Sequence, residues 1–75
     1  MNSMIKELKF QITDELNKGR GISDNKYQAI IERVAKRFKV DLIDAWVEAE
    51  RISAEYFNWE FDEADIRKVL EDILN

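Results

Sequence analysis

No proline interrupts this 75-residue chain, and its only two glycines flank residue 20. Proline and glycine are the strongest local breakers of helix. Outside residues 19 to 21, therefore, little in the sequence resists helix formation. Cysteine and histidine are absent as well. Disulfides, thiolate chemistry, zinc sites of the Cys/His kind and an imidazole-based pH switch are thereby excluded. A chain this short lies near the lower limit for a self-sufficient core, hiding only about 60% of its unfolded surface. With 45% apolar and 37% charged residues, it has the composition of a folded chain, not a disordered one. The expectation is one helical domain covering residues 1 to 75.

Four apolar stripes at helical spacing carry that expectation. Ile5, Leu8, Ile12 and Leu16 form the first, with Gly19 as its stop. Tyr27, Ile30, Ile31, Val34 and Phe38 form the second. Ser23 is placed to cap its N-terminus, and Lys36, Arg37 and Lys39 crowd its C-terminus, where the helix dipole favours cations. The third starts near Asp41 and carries Leu42, Ala45, Trp46, Ala49, Ser53 and Tyr56 on one face. Ile43, Val47 and Ala54 form a second stripe beside that face, which marks this helix as the central one. The fourth runs from about Glu63 with Ile66, Val69, Leu70, Ile73 and Leu74, capped by Asp62. The spacing predicts an all-α, compact bundle of four short helices. One alternative is α+β. Leu8, Phe10 and Ile12 alternate, as do Phe57, Trp59 and Phe61, so residues 8–12 and 57–61 could pair as two strands. An isolated two-stranded pair is marginal, and the Lys/Glu-rich neighbours favour helix.

Charge is divided unevenly. Residues 1 to 40 hold nine Lys/Arg against five Asp/Glu, and residues 41 to 75 hold three against eleven, which gives +4 and −8. Such a split suits partners of opposite charge or self-complementarity, although two solvated faces of one fold would look the same. No apolar run approaches the ~18 to 20 residues that span a bilayer. The opening MNSMIKELKF lacks the long apolar centre of a secretion signal, so a cytoplasmic address is expected.

Several patterns resemble chemistry and fail on inspection. SDNK, residues 23 to 26, contains the S-x-x-K and S-D-N letters of penicillin-binding enzymes, but there they converge from separate parts of a larger chain. Here they overlap just before a helix, where Ser, Asp and Asn are wanted for capping. Residues 58 to 69 carry oxygen-bearing side chains at the first, third and fifth positions, as a calcium loop does. Glu63 then stands where that loop needs Gly, and Val69 where it needs Glu. Asp41, Asp44 and Glu48 share a helix face, and Glu48, Arg51 and Glu55 read as ordinary surface pairs. GRG, residues 19 to 21, has no Walker-type Lys-Ser/Thr after it and reads as a loop. No catalysis, metal or cofactor is expected.

Two functional readings remain. In ERVAKRFKVDLIDAWVEAER, residues 32 to 51, Ala35 lies in one helix, Phe38 follows three later, and Val40 comes after a tight turn into a new helix. This spacing resembles a helix-turn-helix unit, which implies a DNA-binding regulator. Arg33, Lys36, Arg37 and Lys39 are then the residues suited to phosphates. The chain departs from that pattern where Lys39 replaces the usual turn Gly. It departs again where the helix in the recognition position carries Asp41, Asp44, Glu48 and Glu50 against a single Arg. Phosphates would repel such a helix, and nucleic acid is disfavoured as a partner.

The other reading starts from EYFNWEFDEAD, residues 55 to 65, which holds half of the chain's eight aromatics on its most acidic stretch. Tyr56, Trp59, Glu60, Phe61, Asp62 and Glu63 are the candidate protein-binding residues. Aromatic anchors supply energy and the carboxylates steer a basic partner. Tyr56 continues the core stripe, whereas Trp59 and Phe61 either plug the end of the bundle or face outward. This reading makes the chain a small acidic interaction module, a stoichiometric inhibitor or adaptor of the phage or mobile-element type. Its partner is a protein with a basic surface, or a second copy in a homodimer.

Overall fold

The computed structural model describes residues 2–19 and 21–74. Its four helices are α1 (Asn2–Asn17), α2 (Asp24–Phe38), α3 (Leu42–Phe57) and α4 (Glu63–Leu74). Met4, Leu8 and Ile12, one helical turn apart on α1, are fully buried against Ile30, Ile31 and Val34 of α2 and Ala45, Ala49 and Ile52 of α3. Ala45 and Ala49 are the small, fully buried residues that α3 contributes to this shared cluster. Helices α1, α2 and α3 pack pairwise on one another, while α4 packs on α3 alone. The double stripe of α3 thus has a physical counterpart. Its second side, with Val47 and Ala54 buried outside the main cluster, belongs to the contact with α4, whose one buried residue is Leu70.

Among the described residues there is no strand, so the pairing of residues 8–12 with 57–61 does not occur. Leu8 and Ile12 lie inside α1, separated by one turn on its buried side, and Phe10 projects outward at 68% exposure. Residues 57–61 cover the last residue of α3 and the connection to α4. The helical period buries two of the three apolar residues of the first segment without needing a strand partner. That is why it wins.

Five of the helix boundaries have an identifiable chemical cause. Ser23 Oγ accepts from the Lys26 N–H at 3.2 Å, Asp41 Oδ1 from the Ile43 N–H at 2.9 Å, and Asp62 Oδ1 from the Asp65 N–H at 3.2 Å. Helix α2 ends at Lys39 in the left-handed region (φ 55°, ψ 44°), and the Val40 N–H reaches back to the Ala35 carbonyl at 3.0 Å. Helix α3 ends alike at Asn58 (φ 59°, ψ 44°), with the Trp59 N–H on the Ala54 carbonyl at 2.8 Å. Both are Schellman-type stops, a geometry in which Gly is favoured and Asn tolerated. Lys39 has neither advantage. Lys39→Gly is expected to raise unfolding free energy by about 0.5–1 kcal/mol, after the extra backbone entropy of Gly offsets part of the gain. Urea midpoints measure it, and an unchanged or lowered midpoint would contradict the account.

Candidate functional site

The acidic aromatic stretch is divided by the end of α3. Tyr56 and Phe57 occupy its last turn, and the left-handed Asn58 then reverses the chain so that the Trp59 ring returns onto Phe57. Those two rings stack with centroids 4.7 Å apart and planes 18° from parallel, and Phe57 meets Tyr56 edge-on at 5.0 Å. Such pairs contribute about 0.5–1.5 kcal/mol each beyond the area they bury. The ladder nevertheless faces solvent. Trp59 is 63% exposed, and Tyr56 and Phe57 are 44% exposed each. Tyr56 therefore does not continue the core stripe: its ring leaves the core, and its hydroxyl donates to Asn17 Oδ1 of α1 at 3.0 Å. Trp59 does not plug the bundle. Phe61 is half-buried, with the Arg51 guanidinium 4.8 Å above its ring.

The carboxylates around the ladder are not equally free. Arg51 bridges Glu63 of α4 and Glu48 of α3, the latter at 3.3 Å, and Arg67 pairs with Asp44 at 2.8 Å. Arg51 does not take Glu55, one turn on, as the i, i+4 spacing predicts. It turns to Glu63 because α4 brings that carboxylate, and Phe61 beneath it, within reach. Glu63 therefore ties α4 to α3, and Asp62 is engaged as an N-cap. Among the described residues Glu60 has no ion-pair partner and stays exposed beside Trp59.

Beside the ladder lies an open hollow of about 250 Å³, lined by Leu16, Ile22, Tyr27, Glu50, Ser53, Phe57 and Trp59. Tyr27 and Ser53, joined hydroxyl to hydroxyl at 3.0 Å, form part of its wall. Burial pushes the Tyr27 phenol up to about 12, the bond to Ser53 opposes that rise, and the charge of Glu50 adds to it. Burial also raises the Glu50 carboxyl above its ordinary range. The folded state thus favours a neutral Tyr27. Its contribution is complete below the unfolded value near ~10 and is lost as pH rises from there toward 12. Tyr27→Phe is expected to flatten the alkaline fall in urea midpoint over that window, even if the buried Ser53 hydroxyl lowers the midpoint at neutral pH. An identical alkaline slope in the variant would remove the assignment.

The helix-turn-helix spacing is realised as two helices joined through Lys39, Val40 and Asp41. Arg33, Lys36, Arg37 and Lys39 are all exposed there. Arg33 donates to Gln11 at 2.8 Å, and Arg37 pairs with Glu7 at 3.5 Å. The helix in the recognition position, α3, is the one packed against all three others.

A second surface was not apparent from the sequence. The backbones of α2 and α4 do not approach closely, and between them lies an open, largely apolar groove of about 580 Å³. Trp46 and Glu50 of α3 line it together with Gln28 of α2 and Asp65, Ile66, Val69, Leu70, Ile73 and Leu74 of α4. Of the α4 stripe only Leu70 is buried, and Val69 is 54% and Ile73 71% exposed. The five apolar residues of the α4 stripe are the signal that the sequence offers for it.

Comparison with protein-family models, with curated proteins and with solved structures gives no match. Among the described residues no helix is long and apolar enough to cross a membrane, and no three acidic side chains converge as a metal site.

Proposed function

We propose that this chain is a protein-binding module, not an enzyme, acting as a stoichiometric inhibitor or adaptor through Tyr56, Phe57 and Trp59. The observation that carries the reading is the exposed stack of Trp59 on Phe57, bordered by Glu60 and by a hollow that reaches Glu50. Rigid aromatics at the centre of an interface supply most of its energy, and surrounding carboxylates accelerate encounter with a basic surface. The partner is accordingly a protein with a basic face. A second copy offers such a face in residues 1 to 40, so homodimerisation belongs to the same reading. A cytoplasmic protein of the phage or mobile-element type suits this role by size and charge.

The DNA-binding alternative is disfavoured by packing and by electrostatics. A recognition helix has to enter a groove, and α3 is packed against α1, α2 and α4 while its charged residues are four acids against one Arg.

The test compares the wild-type chain, Trp59→Ala, and the triple variant Arg33→Glu, Lys36→Glu, Arg37→Glu as baits in a cytoplasmic extract, followed by titration of the captured partner. Trp59→Ala is expected to weaken binding about 30-fold or more. Because its ring is exposed, its unfolding free energy should change by less than about 0.5–1 kcal/mol beyond the stacking it loses. The triple variant keeps the partner. Retention of every captured protein by Trp59→Ala sinks the reading. Saturable duplex-DNA binding that weakens steeply with salt and disappears in the triple variant would move the function to α2.

A further inference from the structure

We propose that the groove between α2 and α4 docks a cationic amphipathic helix from a partner protein, independently of the Trp59 ladder. The groove is a place where one helix is missing from an otherwise regular packing. Helix α3 has neighbours on its other sides, and α4 leans on it without reaching α2, so Trp46 and Glu50 floor a trough with helical walls. A volume of about 580 Å³ holds several side chains. The row Ile66, Val69, Ile73, spaced three and four residues apart on α4, is the kind of ridge that a facing helix interlocks with. Helix-in-groove recognition uses apolar anchors at the same spacing on the incoming chain.

The charge of the occupant follows from the lining. Among the described residues the two ionisable groups in the groove, Glu50 and Asp65, are both acidic. They lie in the half of the chain that carries −8. Glu50 stands half-buried at the floor and lines the hollow beside Trp59 as well, where burial has already made its charge costly. An ammonium or guanidinium from the occupant would relieve that cost. A second copy fits less well. Pairing α4 with α4 about a two-fold axis sets two −8 halves against each other. Basic-on-acidic docking of two copies belongs to the Trp59 ladder in the reading above, which leaves this groove for a separate partner.

The probe is a fluorescein-labelled synthetic peptide of about four helical turns, with Leu at i, i+3, i+4 and i+7 and Lys elsewhere. Two control peptides accompany it: a scramble of the same composition, and the amphipathic sequence with Glu for Lys. Anisotropy is read at about 0.15 M salt, where exposed charges are screened beyond ~8 Å. The Lys amphipathic peptide is expected to bind and both controls to fail. Ile73→Ser, with Val69→Ser as a second exposed variant, should weaken binding at least about tenfold without changing the charge, and Glu50→Gln severalfold. Trp59→Ala should leave it unchanged. No binding by the Lys peptide, equal binding by the scramble, or indifference to Ile73→Ser overturns the proposal. A concentration-dependent dimer in sedimentation that Ile73→Ser abolishes would overturn it in favour of a second copy. Peptide binding lost in Trp59→Ala but kept in Ile73→Ser would overturn it while leaving the aromatic ladder as the binding surface.

Discussion

Leu8→Ala is expected to lower the unfolding free energy by about 2–5 kcal/mol, enough to leave a large part of this domain unfolded at 25 °C. Leu8 is fully buried at the middle of the α1 stripe, with Met4 and Ile12 one turn away on either side and the facing residues of α2 and α3 around it. Truncation removes its transfer free energy and leaves a void that three mutually packed helices can only partly close. A small domain has little margin to absorb this. The control is Phe10→Ala on the same helix, which removes a larger side chain from a 68% exposed position and should cost under about 1 kcal/mol. Urea unfolding followed by far-UV circular dichroism separates the two. Comparable losses would mean that α1 does not pack through the Leu8 face.

Ala49→Leu is expected to have the second largest effect, with the opposite cause. Ala49 and Ala45 are fully buried one turn apart on α3, on the side that α1 and α2 share. A leucine there has no free volume to occupy and forces helices apart or side chains off their rotamers, costing about 1–3 kcal/mol. Ala64→Leu, on the exposed first turns of α4, adds the same atoms without a barrier and should be close to neutral. The pair is read from urea midpoints. If Ala49→Leu were as stable as the wild type, the close approach at this point of α3 would have to be abandoned.

Much of the fold is legible in the sequence because its signals are local. Ser23 and Asp62 cap the helices they precede, and Gly19 stops α1 with φ at +79°. The double stripe on α3 identifies the helix that touches all others, since only a central helix can bury residues on two sides. What the sequence does not carry is how many neighbours a stripe meets. Val69 and Ile73 have the same spacing as buried residues elsewhere, yet α4 rests on α3 alone and leaves them outside. The direction of Trp59 is illegible in the sequence for a related reason. Its direction is set by the left-handed turn at Asn58, two backbone angles that no side-chain pattern reports, whereas Phe61 falls beneath Arg51 because α4 supplies Glu63 as that residue's partner. Tyr56 departs from the core stripe because helical spacing places only its Cα, while the bond from its hydroxyl to Asn17 directs the ring.

The stop at the end of α3 has an energetic consequence for anything that meets Trp59. The backbone at this residue is fixed by its N–H on the Ala54 carbonyl, and its ring by Phe57 beneath it, before any contact is made. Ordering a rotamer-rich side chain at an interface costs about 0.5–1.5 kcal/mol, and folding has already met that cost here. An exposed indole on a loose loop would bring the same area and surrender part of its worth to immobilisation. This one is preorganised.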